Sequence, residues 1–117
     1  MPYLGYCKKE DTLYQHTRSF ILSHHNPYYY QGTCASGIGS PHTSKNYIWH
    51  IALSMQGLTG TKEEAKKMIN LILETSNNEG LCHEGFNKDE PSEYTRFWFA
   101  WANSLFAELV YQTYFVK

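Results

Sequence analysis

The sequence predicts an all-α fold of about four helices, and two observations carry that prediction. Segments that are apolar on nearly every side alternate along the chain with one segment that has only a narrow apolar stripe. Loops rich in turn-forming residues separate these segments. Helices that are apolar all round are buried, whereas striped helices lie at a surface. The alternation is therefore typical of an inner and an outer layer of helices, and no sheet is expected.

The first predicted helix runs from Asp11 to Ser23, with Asp11 as its N-cap. Its apolar positions are Leu13, Tyr14, Phe20, Ile21 and Leu22. Residues 24–43 read HHNPYYYQGTCASGIGSPHT, where glycine and proline interrupt any helical or strand-like spacing of apolar residues. A long loop is predicted there, and such loops inside compact domains tend to carry function or to be disordered.

The second predicted helix, Ser44 to Leu58, is apolar nearly all round and is expected to be buried. The third starts with a capping box, in which Glu64 follows Thr61 by three positions, and extends to about Glu74. Its apolar stripe consists of Ala65, Met68, Ile69 and Ile72. The opposite face carries Lys62, Glu63, Lys66, Lys67 and Asn70, so this helix is expected at the surface.

A second loop, LCHEGFNKDEP, follows a turn at residues 77–80 and precedes the last helix. That helix is predicted to start between Ser92 and Arg96 and to end near Tyr114, and its core FWFAWANSLFAELVY has almost no polar face. Two helices of this kind carry more apolar surface than a small bundle can cover. The chain is therefore expected to be part of something larger.

Composition excludes several classes of function. The 117 residues suffice for one domain, and 10 basic against 11 acidic residues give a net charge of −1, which does not favour nucleic acid as a partner. Neither a signal peptide nor a membrane span is expected within these residues. Three cysteines without CxxC spacing, Cys7, Cys34 and Cys82, favour a reducing compartment such as the cytoplasm.

A metal site or another cofactor is not expected either. The chain has six histidines, but no HxxxH, HExxH or paired CxxC spacing appears among them: His16, His24, His25, His42, His50 and His83. A nucleophile elbow and a phosphate-binding loop are also missing from the sequence. Aromatic residues make up 16% of the chain, and they serve either as core or as walls on which sugar rings stack.

The polar groups that could do chemistry lie in the two loops. In the first, Ser40 and His42 follow two glycines just before a predicted helix, where free N–H groups could orient a polar ligand. The alternative is that His42 or Thr43 simply caps that helix. In the second, Glu84 follows His83, whose imidazole could fix the carboxylate, but local context alone favours an ordinary glutamate in a surface loop.

Three more residues that could contact a ligand lie at the start of the last predicted helix. Arg96 could pair with a substrate or with a neighbouring carboxylate such as Asp89 or Glu93. Trp98 and Trp101 are core residues or platforms for a ligand.

Three blocks, taken in order, carry a resemblance to a known family. NPYYYQGTCASGIGSPHT, YIWHIALSMQGLTGTKEE and LCHEGFNKDEPSEYTRFWFAWANSLFAELV resemble the end of glycoside hydrolase family 125, the metal-independent exo-α-1,6-mannosidases. The likeness covers roughly residues 17 to 112. It implies that residues 1–117 are the C-terminal fragment of a single (α/α)6-barrel catalytic domain, about its last third, with buried inner helices alternating with amphipathic outer ones.

The resemblance also implies a reaction and residues for it. The implied activity is release of terminal mannose from α-mannosides and N-glycan-derived oligosaccharides with inversion, without a metal. By motif, Glu84 matches the general base, with His83 and Arg96 as supporting donors. The GIGSPHT block is expected to line the mannose subsite, with Ser40, His42, Trp49 and Trp98 as contacts.

One part of the family pattern is missing. The general acid of the family is an aspartate from an earlier block, and no segment here resembles its surroundings. The chain alone is therefore expected to be inactive, its partner being the missing N-terminal part of the same barrel. The alternative is a non-catalytic carbohydrate-binding or interaction module of helical fold.

Overall fold

The computed structural model describes residues 12–43, 45–76, 82–95 and 99–115, and this part of the chain forms four helices and two small antiparallel sheets. The helices are α1 (Thr12–Ile21), α2 (His50–Leu58), α3 (Lys62–Thr75) and α4 (Ala100–Tyr114). The strands are β1 (Tyr29–Gln31), β2 (Ser36–Ile38), β3 (Tyr47–Trp49), β4 (Gly85–Asn87) and β5 (Tyr94–Thr95). The predicted number of helices is confirmed, but the expectation of no sheet is wrong.

Helix α3 matches its prediction closely. The Thr61 hydroxyl accepts a hydrogen bond from the Glu64 N–H at 3.2 Å, as a capping box requires. The stripe is buried, consisting of Ala65, Met68, Ile69 and Ile72. Most of the opposite face is exposed, namely Lys62, Glu63, Lys67 and Asn70.

The predicted helix from 44 to 58 is wrong in its first part. Ser44 lies outside the described residues, and Asn46 has a positive φ of 70°, a left-handed conformation that a helix cannot continue through. The next three residues form β3, whose aromatic and β-branched side chains suit a half-buried sheet. Trp49 is extended, with φ −93° and ψ 131°, so α2 begins only at His50.

Both predicted loops also contain strands. In the first, β1 and β2 form a hairpin that pairs Tyr29 with Ile38. In the second, β4 lies between β3 and β5. Because Tyr94 pairs with Phe86 in that sheet, the chain is still extended where the last helix was predicted to start. Helix α4 begins at Ala100 instead.

The core lies where α2 packs against α3 and α4, and residues of the three-stranded sheet belong to it. Phe86 of β4, Ile48 of β3, Leu53 of α2 and Leu109 of α4 are fully buried in it. Helix α1 contributes no buried residue. Its Arg18 connects it to the rest by donating to the Gln56 carbonyl oxygen at 2.9 Å and to Glu64 Oε1 at 3.0 Å.

Helix α4 presents much of its apolar surface to solvent, although the sequence predicts a buried helix. Trp101 is 68% exposed, and Tyr111, Tyr114 and the following Phe115 are also exposed. These exposed side chains are compatible with the expectation that the chain carries more apolar surface than it covers. None of the described helices is long and apolar enough to cross a membrane.

Candidate active site

The sheet formed by β3 and β4 brings the two polar loops together. Trp49, the last residue of β3, is the register partner of Gly85, the residue after Glu84. The Trp49 indole N–H donates to the Thr43 hydroxyl oxygen at 3.0 Å. A Cβ on residue 85 would lie 3.1 Å from the Trp49 ring, so glycine permits this close approach. The indole therefore lies between the first loop and the Glu84 segment.

The first loop ends in a compact turn that is held by its own side chains. The Ser40 hydroxyl accepts from the His42 N–H at 3.2 Å, and the Ser40 carbonyl accepts from the Thr43 N–H at 3.3 Å. The His42 side chain is exposed, with its ring centroid 6.5 Å from that of Trp49. The alternative that His42 or Thr43 caps the following helix is wrong, because α2 begins at His50 without any side-chain cap.

Glu84 lies at a bend immediately before β4, and its side chain is half-buried. Its main-chain N–H donates to the Thr95 carbonyl oxygen of β5 at 3.1 Å. Both residues before it are almost fully buried, since Cys82 and His83 are each 1% exposed. A half-buried glutamate is thus attached to a main chain that is bound to β5 and preceded by two buried residues.

The His83 ring belongs to the core. It stacks on the Tyr94 ring with a centroid distance of 3.9 Å and an interplanar angle of 7°. The centroid of the His50 ring lies 5.5 Å from that of the His83 ring. A side chain so deeply buried has almost no surface for a ligand, which favours a supporting role for this ring.

Helix α4 holds the segment at Cys82. The Cys82 N–H donates to Asn103 Oδ1 at 3.1 Å, and the Cys82 carbonyl oxygen accepts from the Phe99 N–H at 3.0 Å. The Asn103 amide is itself oriented, because its Nδ2 donates to the Phe99 carbonyl oxygen at 2.9 Å. Burial raises the pKa of the Cys82 thiol to about 12, so this cysteine stays protonated and is a poor nucleophile.

Helix α2 holds the next residue through a buried imidazole. The His83 N–H donates to His50 Nδ1 at 2.9 Å, and His50 Nε2 lies 2.8 Å from the Thr75 hydroxyl of α3. Burial, and secondarily the neighbouring His83, lowers the pKa of His50 to about 3. His50 is therefore a neutral imidazole at every pH at which the protein would normally work.

This burial predicts an acid sensitivity. His50 has a pKa of about 3 in the folded state and 6.5 as its ordinary value, so between these limits the unfolded state binds more protons and stability falls as the pH falls. From pH 7 to pH 5 the loss is expected to be about 2 kcal/mol. Urea titrations of the complete protein at both pH values would measure it. The loss should shrink in His50→Asn, and an equal loss in both proteins would contradict the assignment.

Comparison with known proteins places the chain in a family. The family model described as metal-independent alpha-mannosidase (GH125) matches residues 1–111. This chain belongs to that family.

Two relatives show how much of a GH125 protein the chain represents. It is 40% identical over 112 residues to the meiotically up-regulated gene 157 protein of Schizosaccharomyces pombe, covering 94% of this chain and 22% of that protein. It is 51% identical, with a TM-score of 0.93, to a Streptococcus pneumoniae structure of a metal-independent α-mannosidase in non-productive complex with α-1,6-mannobiose. That match covers 96% of this chain and 26% of the other. The chain thus spans about a quarter of the relatives it matches.

The GH125 chain uses Asp89 to join the loops. Its Oδ1 accepts from the Thr33 N–H at 2.8 Å, and its Oδ2 accepts from Lys88 Nζ at 3.0 Å. These donors, the Thr33 N–H first, hold the pKa of the carboxyl below its usual range. The tip of the β1–β2 hairpin is attached there too, because the Cys34 N–H donates to the Lys88 carbonyl oxygen at 3.1 Å. Asp89 thus has a structural role on the described residues.

The structure brings together part of the set of residues that the sequence singles out. Trp49 pairs with Gly85, the residue after Glu84, and its indole N–H is bound to Thr43, in the turn that contains Ser40 and His42. Arg96 and Trp98 lie outside the described residues. Among the residues described, no cluster of three or more His, Cys, Asp or Glu side chains could hold a metal ion.

Two residues that hold the Glu84 segment, His50 and Asn103, are not predicted from the sequence. His50 stands out in the sequence only as one of six histidines, and Asn103 belongs to no motif. The same feature of the sequence could have identified both, since each is a polar residue inside an otherwise apolar helix. A polar group at such a position is usually buried and hydrogen-bonded, which is what the structure has for each.

Proposed function

We propose that this chain is part of an (α/α)6-barrel enzyme that removes terminal α-1,6-linked mannose with inversion, and that Glu84 is its general base. The observation that carries the proposal is the GH125 match over residues 1–111, which includes the CHEGF segment. The α-1,6-mannobiose bound by the Streptococcus pneumoniae relative supports the linkage. The proposed substrates are α-mannosides, including oligosaccharides derived from N-glycans.

The surroundings of Glu84 suit a general base. In inverting glycosidases a carboxylate activates water on one face of the sugar while an acid roughly 6.5 to 9.5 Å away protonates the leaving oxygen. Such a base needs contact with water and a fixed position. Glu84 is half-buried, and its main-chain N–H is bound to Thr95. Both requirements are compatible with this geometry.

The neighbouring turn is suited to bind the terminal sugar. His42 is exposed and could exchange hydrogen bonds with sugar hydroxyls, and the half-buried Trp49 ring beside it offers an apolar face. Ser40 shapes the turn by accepting from the His42 N–H. We assign Arg96 and Trp98 to the same subsite on their motif alone. His83 is assigned to support of Glu84, because its ring is buried.

The rest of the barrel is proposed to supply the general acid. The chain spans 22% of one relative and 26% of the other, which leaves ample sequence for it. Asp89 is a poor candidate because Thr33 and Lys88 occupy its oxygens. The exposed apolar side chains on α4, such as Trp101, are proposed to contact the remaining inner helices. The chain alone is then inactive.

A stereochemical assay tests this function. The complete protein that carries this chain is expected to release mannose from α-1,6-mannobiose, and the first anomer should be β because inversion replaces an α-linkage. Proton NMR during the first minutes, before mutarotation, distinguishes the anomers. The α-1,2- and α-1,3-linked mannobioses serve as matched controls and should be cleaved much more slowly.

Each other outcome has a distinct meaning. Release of α-mannose first would exclude an inverting base at Glu84. Equal rates on all three disaccharides would exclude the α-1,6 preference. Binding of mannobiose without any hydrolysis would favour the alternative, a carbohydrate-binding module of helical fold.

A further inference from the structure

A buried hydrogen-bond relay connects α3, through α2, to the segment that carries Glu84. The Thr75 hydroxyl lies 2.8 Å from the Leu71 carbonyl oxygen and 2.8 Å from His50 Nε2. On its other side, His50 Nδ1 lies 2.9 Å from the His83 main-chain nitrogen. His50, Thr75 and His83 are each no more than 1% exposed.

The direction of every bond in this relay is determined. A main-chain N–H can only donate, so His50 Nδ1 must accept from His83 and therefore carries no proton. A neutral imidazole then has its proton on Nε2, which donates to the Thr75 hydroxyl oxygen. The Thr75 hydroxyl uses its own proton toward the Leu71 carbonyl oxygen. The relay thus fixes one tautomer of His50.

The relay is one of three consecutive anchors. The main-chain N–H groups of Cys82, His83 and Glu84 donate respectively to Asn103 of α4, His50 of α2 and Thr95 of β5. Three separate elements therefore determine where the Glu84 Cα lies. The middle anchor is the one made by a fully buried side chain, and the Phe86 ring packs against it with centroids 4.8 Å apart.

We propose that His50 is a positioning residue for Glu84, setting the main chain of residues 82–85 through the hydrogen bond from the His83 N–H to its unprotonated Nδ1. The proposal depends on the role proposed above for Glu84. A displacement of about 1 Å in a reacting group can reduce a rate by roughly 10²-fold. Loss of this anchor should therefore lower kcat rather than substrate binding.

Two substitutions distinguish the contributions of the two ring nitrogens of His50. In His50→Asn the amide oxygen can occupy nearly the position of Nδ1, so it can still accept from the His83 N–H. In His50→Gln the longer amide reaches the position of Nε2 and can contact Thr75, but it leaves the His83 N–H without its acceptor. Both remove the ring, so a purely steric effect would be similar in the two variants.

In the complete enzyme, His50→Gln is expected to lower kcat by roughly 10²-fold with KM nearly unchanged. His50→Asn is expected to recover most of that loss. Thr75→Val is the matched control, because it destabilises the relay but leaves the bond between His83 and His50, so kcat should stay near wild type below the melting temperature. Equal losses of kcat in His50→Asn and His50→Gln, or no loss in either, would overturn the proposal.

Nitrogen NMR of the unmodified protein gives a readout that needs neither activity nor a variant. Its His50 signals should show protonated Nε2 and unprotonated Nδ1, unchanged between about pH 5 and 8. A proton on Nδ1 would overturn the positioning role whatever Glu84 does. Full activity in Glu84→Gln would remove the general-base assignment but leave the tautomer as described, so the two failures are distinguishable.

Discussion

Glu84→Gln is expected to lower kcat of the complete enzyme by roughly 10²- to 10⁴-fold, with KM changed little. The substitution keeps the size of the side chain but removes the basic oxygen that would take a proton from water. Because Glu84 is half-buried and its main-chain N–H is bound to Thr95, the loop is expected to keep its conformation in the variant. Steady-state kinetics on α-1,6-mannobiose would measure both constants.

Glu93→Gln is the matched control for that change. Glu93 is an exposed glutamate in the same loop, nine positions further along the chain, and it is not assigned to the site. Its substitution should leave kcat within about twofold of wild type, since exposed changes of this kind have small effects. Undiminished release of mannose by Glu84→Gln would show that another group activates the water.

The helices are predictable from the sequence to the extent that local signals define them. The capping box at Thr61 and Glu64 and the stripe that follows place α3 within one residue of its observed bounds. The strands are not predictable in this way, because each is only two or three residues long and depends on a partner distant in the chain. Ile48 and Phe86 would be buried apolar residues in a helix as well as in a strand. Their pairing across β3 and β4 is what makes these segments a sheet.

The same distinction applies to the site. The CHEGF motif is the basis for proposing Glu84 as the general base, but nothing local to the motif reveals what holds its main chain. The anchors come from His50, 34 positions earlier, and from Asn103 and Thr95 later in the chain. Such contacts arise from packing of α2 and α4, so a single sequence offers at most the presence of a polar residue in an apolar helix. For the same reason Trp49, which was predicted to lie in a helix, is instead the last residue of β3 and pairs with Gly85.

Trp101→Ser is expected to change stability very little in the isolated chain but greatly in the complete protein. In this chain Trp101 is 68% exposed on α4, so the substitution should alter the free energy of unfolding by no more than about 0.5 kcal/mol. It should also reduce self-association, because it removes part of an exposed apolar patch. Sedimentation velocity of the two isolated chains would measure that change.

In the complete protein, the proposed barrel covers this face of α4. Removing a large buried aromatic side chain there should cost about 3–5 kcal/mol, measured by urea denaturation. Phe86→Ala is the matched control, since Phe86 is already fully buried in this chain and should destabilise the complete protein by a similar amount. A cost near zero for Trp101→Ser beside a large cost for Phe86→Ala would mean that no inner helix packs on α4. The proposed ring of helices would then have to close elsewhere, because α4 carries the largest exposed aromatic side chain among the described residues.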